Sequence, residues 1–407
     1  MAKTARSAPV FNESRARELV LQLMAIPGPS GQEGRVIESI CARLRQAGAD
    51  PATIQIEPPP PQTPVAGEVG SLIFKLPGTQ RGPRRLLMAH LDTVPICVGC
   101  QPIVDGQFIR SANPATGVGA DDRAGVAVLL STAMAILEHG LPHPPLTFYW
   151  PVQEEIGLYG ARHAKLARLG KPTLAFNYDG GPAEKLTCGA TGGYRLSIDI
   201  QGLASHAGGA PEQGISAIAI ASLAIADLVR NGWHGDIRQG KHRGTSNVGV
   251  FHGGDATNVV TDHVHLKAEA RSHDPKFRAK IVKEIESAFQ RAAREVKNVI
   301  GKTGRATIEG RLDYESFRLA DDERCILAAE EAVRATGGEP YRAISNGGLD
   351  ANWMSAHGLP TVTLGCGQMN PHTISERLDL AAFSRACQVA LVLATAGAFA
   401  PPANGRK

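Results

Sequence analysis

The sequence has little that would support binding to nucleic acid or insertion into a membrane. Aromatic residues make up 5% of the 407 residues, and the formal net charge is only +4. A nucleic-acid surface normally needs clustered basic side chains and aromatic rings that stack on bases, whereas the 43 Lys and Arg residues are spread along this chain. No apolar run approaches the roughly 20 residues that a membrane span requires. We therefore expect no nucleic-acid partner and no membrane partner.

Cysteine is also scarce and irregularly placed. The chain has 7 Cys, an odd number that does not suggest a disulfide framework. Cys97 and Cys100 form one Cys-x-x-Cys pair, but no second pair completes a zinc ribbon, and Pro95 and Pro102 place it in a loop rather than at a helix start. No apolar stretch follows the charged residues at the amino terminus, so no signal peptide is expected. These features predict a cytoplasmic protein and leave the role of the cysteine pair open.

Length and hydrophobic pattern predict an α/β protein with more than one domain, because 407 residues exceed what one hydrophobic core usually serves. Short apolar runs buried on both faces are typical of parallel strands covered by helices. We therefore predict a mixed, mostly parallel sheet covered by helices. A helix is expected at 32–47, with Ser30 as its N-cap and Glu33 completing a capping box. The runs that predict the sheet lie at 85–89, 146–150, 174–177 and 361–364.

The middle of the chain has a different pattern. Residues 194–201 alternate between apolar and polar side chains, as expected of a strand with one buried face. The predicted order from there is strand, helix, strand, strand, helix, strand, which is that of a ferredoxin-like α+β unit. We interpret residues 191–312 as an inserted domain. Residues 1–190 and 313–407 are then the first and second parts of the catalytic domain.

Acidic and imidazole side chains follow directly after the predicted strands of the sheet. Ligands of such sheets bind at the carboxyl ends of the strands, so these side chains are expected to meet there. Asp121 and Asp122 arrive separately, from a Gly-rich loop that precedes an apolar helical run. The side chains that follow strands are His90, Asp92, Glu154, Glu155, Asp179 and, further along the chain, His372.

This combination of side chains predicts a centre with two metal ions. Imidazole and carboxylate ligands without a thiolate suit zinc, manganese or cobalt. Two ions about 3.5–4 Å apart need a ligand that bridges them, and a carboxylate has two oxygens for that. We assign the bridge to Asp121. His90 and Asp179 then complete one metal site, and Glu155 and His372 the other.

Two further acids are assigned to the chemistry. Asp92 accepts the second ring N–H of His90 and fixes its tautomer, and Glu154 acts as the general base. Each feature alone has an ordinary structural explanation. Asp121 or Asp122 would be a helix N-cap, and a Glu-Glu pair is usually solvated surface. The coincidence of all of them at strand ends favours the metal centre.

The same motifs resemble a known family. In chain order, His90-x-Asp92, residues 119–125, Glu154-Glu155 and His372 resemble the signature of the dinuclear zinc peptidase T and aminoacylase superfamily. The similarity extends over about residues 26–380. It implies the roles assigned above, with a water shared by two zinc ions and activated by Glu154. It also implies that the inserted domain is a lid through which two chains form a homodimer.

The resemblance adds substrate-binding residues on the lid and on a Gly-rich loop. Ser205-His206-Ala207 resembles the segment whose histidine stabilises the oxyanion of the intermediate. Asn258 and Arg271 lie in segments similar to those that hold a substrate carboxylate, a task that suits a guanidinium. Otherwise His206 would be a turn histidine and Arg271 a surface charge. The loop residues implied to line the cleft are Asn346, Gly347 and Gly348.

The third ligand of the first metal indicates the reaction. In this superfamily the position of Asp179 is Asp in aminopeptidases and dipeptidases, and Glu in carboxypeptidases and deacylases. The resemblance therefore implies an aminopeptidase acting on short peptides, similar to peptidase T. The alternative is an amidohydrolase or carboxypeptidase that cleaves N-acyl amino acids or C-terminal residues. A more remote alternative is a peptide-binding protein without catalysis.

Overall fold

A computed structural model of the chain describes residues 11–395, and it divides into two compact units. The first unit comprises the residues up to Gly189, Arg318–Ser345 and those from Leu349 onward; the second comprises Ala190–Phe317 and Asn346–Gly348. The amino-terminal segment inspected for a signal peptide lies outside the described residues. The domain bounds predicted from the sequence stay a prediction.

Within residues 11–395, none of the helices has both the length and the apolar character needed to cross a membrane. The α-helices are α1 (Glu13–Met24), α2 (Gly34–Gln46), α3 (Ala120–His139), α4 (Tyr159–Arg162), α5 (Ala217–Arg230), α6 (Pro275–Glu295), α7 (Arg324–Ala335), α8 (Asp350–Ala356) and α9 (Leu380–Thr395). The strands are β1 (Ile54–Ile56), β2 (Leu72–Leu76), β3 (Arg85–Met88), β4 (Pro102–Asp105), β5 (Phe108–Ser111), β6 (Leu146–Trp150), β7 (Leu174–Tyr178), β8 (Lys185–Ala190), β9 (Gly192–Gln201), β10 (Gly235–Gln239), β11 (His242–Gly253), β12 (His263–Ser272), β13 (Arg305–Tyr314), β14 (Phe317–Arg318), β15 (Tyr341–Ser345), β16 (Thr361–Leu364), β17 (Gln368–Met369) and β18 (Arg377–Asp379).

The first unit is built on a nine-stranded sheet with a parallel centre. The strand order is β1-β2-β6-β3-β7-β16-β8-β14, and β15 also pairs with β8. The four central strands β6, β3, β7 and β16 are parallel, whereas β2 and β8 join them antiparallel. Every residue of these central strands is buried, as expected where helices cover both faces. The predicted mixed, mostly parallel sheet is confirmed.

Helix α3 is the element around which the core of the first unit packs. Its residues 126–130 are all fully buried, so the helix is apolar around its whole circumference, as is typical of a helix enclosed by a core. The same core contains Phe148 and Trp150 of β6 and Val389 of α9. The amino-terminal end of α3 carries Asp121 and Asp122. The packing of α3 in the core therefore fixes the position of these two acids.

The capping box predicted for α2 is wrong. The helix begins at Gly34, and the side chain of its N-cap residue, Glu33, makes no capping hydrogen bond. The Ser30 hydroxyl instead donates to Asp92 Oδ2 over 2.6 Å. Glu33 accepts the N–H groups of Gly31 and Gln153 through Oε1. Both residues are used to support the loops that follow β3 and β6, which local sequence cannot reveal.

The second unit is an antiparallel sheet with two long helices. The strand order is β10-β11-β12-β9-β13, and α5 and α6 bury their apolar faces with residues such as Ile198, Ile220 and Ile285. This agrees with the predicted ferredoxin-like order, to which the structure adds β10. A further four-stranded sheet in the first unit, β17-β18-β5-β4, was also not predicted. Its strands are two to four residues long, too short to give a clear period in the sequence.

Gly125 is expected to be indispensable for the packing of α3 on β7. A Cβ there would lie 2.2 Å from the carbonyl oxygen of Tyr178 and 2.5 Å from Asp122 Oδ1. Overpacking of this kind costs about 1–3 kcal/mol, more than the roughly 1 kcal/mol that Ala gains over Gly in a helix. Gly125→Ala should therefore lower the free energy of unfolding of the metal-free protein, measured by chemical denaturation.

Gly249→Ala is the matched control. A Cβ at Gly249, which is exposed, would meet only the side chain of Asn247, at 3.3 Å. That substitution should leave stability unchanged or slightly raised, because Ala narrows the unfolded ensemble. Equal effects of the two substitutions would contradict the packing argument.

Candidate metal centre

Four neighbouring strands bring the predicted ligands to one edge of the central sheet. In the order β6, β3, β7, β16 these strands are parallel, so their carboxyl ends open on the same side. Met88 at the end of β3 lies opposite Tyr149 and Asn177, which sets the strand ends level. The candidate side chains follow directly: His90 and Asp92 after β3, Glu154 and Glu155 after β6, Asp179 after β7, and His372 after β16 and β17.

Asp121 lies between two histidines, with one carboxylate oxygen facing each. Its Oδ1 is 3.1 Å from His90 Nε2, and its Oδ2 is 3.3 Å from His372 Nε2. His372 Nε2 also lies 2.9 Å from Glu155 Oε2. A carboxylate whose two oxygens point to different imidazoles has the arrangement that a bridging ligand requires.

The ligand atoms form two adjoining groups in the described residues. His90, Asp121 and Glu155 form one, and His90, Asp122 and Asp179 the other, with the atoms of each group within 4.8 Å of one another. The second group contains Asp122 where the sequence predicted Asp121. Asp122 already accepts the N–H groups of His90 and Gly125, which is the behaviour of a residue that orients the loop. We therefore keep Asp121 as the proposed bridge.

Asp92 organises the loops after β3 and β6 at once. It is fully buried, and His90 Nδ1 lies 3.1 Å from its backbone carbonyl oxygen and 3.4 Å from its Oδ1. The backbone N–H groups of Glu154 and Glu155 donate to its two oxygens over 2.9 and 3.2 Å. The carboxylate predicted to orient His90 is thus also the group that holds the two glutamates in position. Burial raises the pKa of Asp92, but the hydrogen bond and charge of His90, together with the hydrogen bonds from Ser30 and Glu154, outweigh burial and lower it.

The buried acids destabilise one another's charged forms. Burial raises the pKa of Glu154 well above its usual range, and the charges of Glu155 and Asp350 add to this. The pKa of Glu155 is raised to about 7 and that of Asp179 to about 6, in both cases chiefly by burial and then by repulsion from Asp121. Removal from water and nearby like charges are the two causes that shift carboxylates in this direction.

The two histidines are shifted by the same acids. Burial lowers the pKa of His90, but its hydrogen bonds with Asp121 and Asp92 and the charges of nearby acids together outweigh burial and raise the pKa well above the usual value. Hydrogen bonds with Asp121 and Glu155 raise the pKa of His372 to about 10. Without metal, protons on the two imidazoles therefore compensate part of the negative charge.

The residues fit a pair of divalent cations. Nitrogen and carboxylate oxygen donors are those that zinc, manganese and cobalt accept, and a cation between the acids would remove the repulsion that raises their pKa values. Cys366 Sγ lies 3.7 Å from Asp122 Oδ1, but burial raises the pKa of this thiol well above its usual value.

Three residues that support the centre were missed by sequence reasoning. Gln368 Nε2 donates to Asp122 Oδ1 over 2.9 Å. The buried Arg123 guanidinium donates to the carbonyl of Leu91, the residue between His90 and Asp92 in the sequence. Glu376 accepts backbone N–H groups at the start of α3. Arg123 lies in the motif at residues 119–125 that the sequence analysis identified. The sequence does not show, however, that its partner is the carbonyl of Leu91.

Asp350 is a fourth residue without a predicted role. It is buried, and neither carboxylate oxygen has a hydrogen-bond partner among the described residues. Burial raises the pKa of Asp350 to about 8, although the charge of His90 acts against this shift. Its position after the Gly-rich loop was the one signal available in the sequence.

The cysteine pair belongs to neither of the candidate metal groups found in residues 11–395. Cys97 and Cys100 are free thiols, and Cys100 Sγ donates to the carbonyl of Met24 over 2.9 Å. Burial raises the pKa of both thiols, to about 11 for Cys100. Protonated thiols are poor ligands and poor nucleophiles.

The second unit brings together two of the predicted substrate-binding segments. His206 pairs with Val259 in an isolated bridge, and Ala207 N donates to the carbonyl of Asn258 over 2.9 Å. His206 Nδ1 accepts the N–H groups of Gly208 and Gly209. Its other ring nitrogen, Nε2, therefore carries the proton in the neutral form, as an oxyanion donor requires.

The remaining predicted residues of this unit have partners of their own. Arg271 is paired with Glu269 through Nε and Nη2, over 2.9 and 3.0 Å, and its role in binding substrate stays a prediction. Asn346 Oδ1 lies 3.1 Å from His273 Nε2. Gly347 precedes Gly348, where a Cβ would lie 2.5 Å from the Tyr314 ring, so that position needs glycine.

Two family models match the chain. The model of the peptidase dimerisation domain of M20 peptidases matches residues 189–297, and that of peptidase family M28 matches residues 71–207. The first falls in the second unit, and the second covers the segment that carries His90, Asp121, Glu154 and Asp179.

Individual proteins are similar over nearly the whole length. The uncharacterized protein YqjE of Bacillus subtilis is 30% identical over 91% of this chain and 95% of its own. A tripeptidase from Staphylococcus aureus has 30% identity and a TM-score of 0.82, covering 94% of this chain and 99% of that one. The aminopeptidase PepT from Bacillus cereus has 29% identity and a TM-score of 0.78, with 95% and 98% coverage.

Binding of metal is expected to release protons. In the metal-free protein His372, with a pKa of about 10, is protonated at neutral pH, and Glu155, with a pKa of about 7, is partly protonated. Because ligands must lose these protons, the affinity for zinc or manganese should rise from about pH 6 to about pH 8. Calorimetric titrations in buffers of different protonation enthalpy should show that about one proton or more leaves per pair of ions at pH 7.

His372→Ala should release fewer protons and bind one ion less. His139→Ala, which changes an exposed histidine at the end of α3, should behave like the unaltered protein. An affinity independent of pH, without proton release, would contradict the assignment of these ligands.

Proposed function

The chain belongs to the peptidase T-like branch of the M20 metallopeptidase family, and on that premise we propose that its metal centre hydrolyses the peptide bond next to a free amino terminus. It is a metal-dependent exopeptidase acting on short peptides, as the similarity to tripeptidase and peptidase T structures supports. The observation that carries the proposal is the position of Asp121 between His90 and His372, at 3.1 and 3.3 Å.

The proposed ligand sets are those predicted from the sequence. Asp121 would be shared by two divalent ions, with His90 and Asp179 completing one set and Glu155 and His372 the other. The donor set suits zinc, with manganese or cobalt as alternatives. When bound, the ions would lower the pKa of a water molecule and polarise the carbonyl group of the substrate.

Glu154 is proposed as the general base. Its backbone N–H is held by Asp92, and its buried carboxyl group has a pKa raised well above the usual range. A carboxylate with a raised pKa takes a proton from water more readily than an ordinary one. Glu154 would accept that proton and then donate it to the amine that leaves as the peptide bond breaks. Asp92 keeps His90 in one tautomer throughout.

The residues of the second unit are proposed to bind the substrate. His206 would donate from Nε2 to the oxyanion. The pair with Glu269 uses Nε and Nη2 of Arg271, so we propose that Nη1 receives the substrate carboxylate, with Asn258 beside it. Asn346, Gly347 and Gly348 would lie along the peptide backbone.

Compartment and assembly are part of the proposal. The seven cysteines are all free, which supports a reducing, cytoplasmic compartment. The match to a dimerisation domain and exposed apolar side chains such as Leu223 and Val229 of α5 support a homodimer formed through the second unit. The partner in catalysis is a short peptide, and neither nucleic acid nor a membrane is involved.

Replacing Glu154 tests the proposed base. Glu154→Gln should keep both metal ions, while kcat falls by about 10²-fold or more, because a general base contributes that much. Metal content is measured by elemental analysis and kcat with a tripeptide. Glu323→Gln, a change of the same kind at the N-cap of α7, should retain full activity. Unreduced activity in Glu154→Gln would rule out this base.

A matched set of substrates tests which terminus of the peptide the enzyme recognises. Leu-Gly-Gly, its N-acetyl form and its C-terminal amide are compared with the zinc, manganese or cobalt enzyme. We expect rapid hydrolysis of Leu-Gly-Gly and a loss of about 10²-fold or more in kcat/KM for the acetylated peptide, because a site built for an ammonium group is left with unpaired polar groups. Preference for the acetylated peptide would establish the amidohydrolase or carboxypeptidase alternative. No turnover with any metal would favour the peptide-binding protein.

A further inference from the structure

Glu376 connects two ligand-bearing loops of the metal centre. It follows His372 by four residues and is 2% exposed. Its Oε1 accepts the backbone N–H of Asp121 over 3.0 Å, and its Oε2 accepts that of Gly119 over 2.7 Å. Cys97 Sγ also donates to Oε2, over 3.3 Å. Both oxygens of this carboxylate are thus used as acceptors.

The start of α3 needs such an acceptor from elsewhere in the chain. The first N–H groups of a helix have no partner within the helix, and a side chain at the N-cap normally accepts one of them. Asp121 and Asp122 have non-helical backbone angles, so the regular part of α3 follows them, and Asp122 Oδ1 accepts the N–H of Gly125 there. The N–H groups of Gly119 and Asp121 lie in the turn before that regular part, where Gly119 has a left-handed backbone (φ 71°) and no side chain to offer. Glu376 supplies the acceptor for both, from 257 residues beyond Gly119. A carboxylate at this end of a helix is also favoured by the helix dipole.

The loop that carries His372 is held to the same carboxylate. Asn370 and His372 both have positive φ, 51° and 64°, a left-handed conformation that Asn and His adopt more readily than most residues with a side chain. Glu376 N donates to the carbonyl of Thr373 over 3.2 Å, which ends this turn at the glutamate. The position of His372 is therefore linked through one short turn to the position of Asp121.

We propose that Glu376 is a positioning residue for the metal centre, which holds Asp121 and His372 in the relative position needed to share one ion. The inference rests on the proposed function, since it takes these two residues as ligands of the same site. Glu376 does not touch substrate or metal in this role. It acts through the backbone of Asp121 and through the turn after His372.

Glu376→Gln is the decisive substitution. The amide keeps the size of the side chain but has one acceptor oxygen, and its NH₂ group would face a backbone N–H donor. Loss of a partner that orients a ligand typically costs about 10–100-fold in metal affinity. We expect the ion bound between Asp121, Glu155 and His372 to bind about 10-fold or more weakly, with the first ion retained, as measured by titration of the metal-free protein with cobalt against a chelator. The visible spectrum of the second cobalt ion should change as well.

The controls separate a role in positioning from a general loss of stability. Glu323→Gln removes a carboxylate cap from α7 and should bind both ions as the unaltered protein does. Cys97→Ala removes a donor to Glu376 but none of its acceptor oxygens, and it should also bind both ions normally. If Cys97→Ala weakens the second ion as much as Glu376→Gln does, the backbone bonds are not the cause and the inference is overturned.

Metal binding by the unaltered protein distinguishes a failure of the proposed function from a failure of the inference about Glu376. If it binds no ion, the proposed function fails. If it binds two ions and Glu376→Gln binds both with the same affinities and spectrum, only the present inference fails. Should Glu376→Gln not fold, Glu376→Asp is used, which keeps both acceptor oxygens on a shorter side chain. Weaker binding of the second ion to that variant supports the inference, and unchanged binding overturns it.

Discussion

A concentration of buried negative charge is the constraint on which the rest of this structure depends. Carboxylates removed from water and placed side by side are unstable unless positive charge or hydrogen-bond donors face them. The protein meets this need with two imidazoles, with the amide of Gln368 and with backbone N–H groups aimed at Asp92 and Asp122. These devices leave the pKa of Glu155 and Asp179 raised. The centre is therefore arranged for the divalent cations that complete the compensation.

The scaffold supplies rigidity where the acids need it. Parallel neighbours β6, β3 and β7 end level with one another, so short loops are enough to bring their side chains together. Asp121 comes from a different element, the end of a helix whose apolar body is enclosed by the core. Glu376 ties that helix end to the loop of His372. Chemistry is thus concentrated in the first unit, while the residues proposed to bind substrate belong to the second.

The wrong predictions have a common physical origin. A polar side chain can hydrogen-bond either to residues nearby in the sequence or to residues distant from it, and the distant partners are not visible in the sequence. Ser30 and Glu33 have the spacing of a capping box, but Asp92 and the loop after β6 offer buried partners that local spacing does not show. In the same way Glu376 and Gln368 have no local signature, and Asp350 has only its position after the Gly-rich loop. Their roles come from contacts across more than 200 residues in the first two cases. The strands of the small sheet are too short to produce a period.

By itself, the sequence determined the class of fold. It indicated both the mostly parallel sheet and the inserted antiparallel unit, and it identified the residues that meet at the strand ends. It could do so because buried strands, helices and the acids that follow strand ends leave local patterns of residue type. Only the tertiary structure decided which oxygen of Asp121 faces which histidine, that Asp122 orients a loop, and that Arg271 is paired with Glu269. Distances between atoms far apart in the chain depend on packing, and packing is a property of the whole fold.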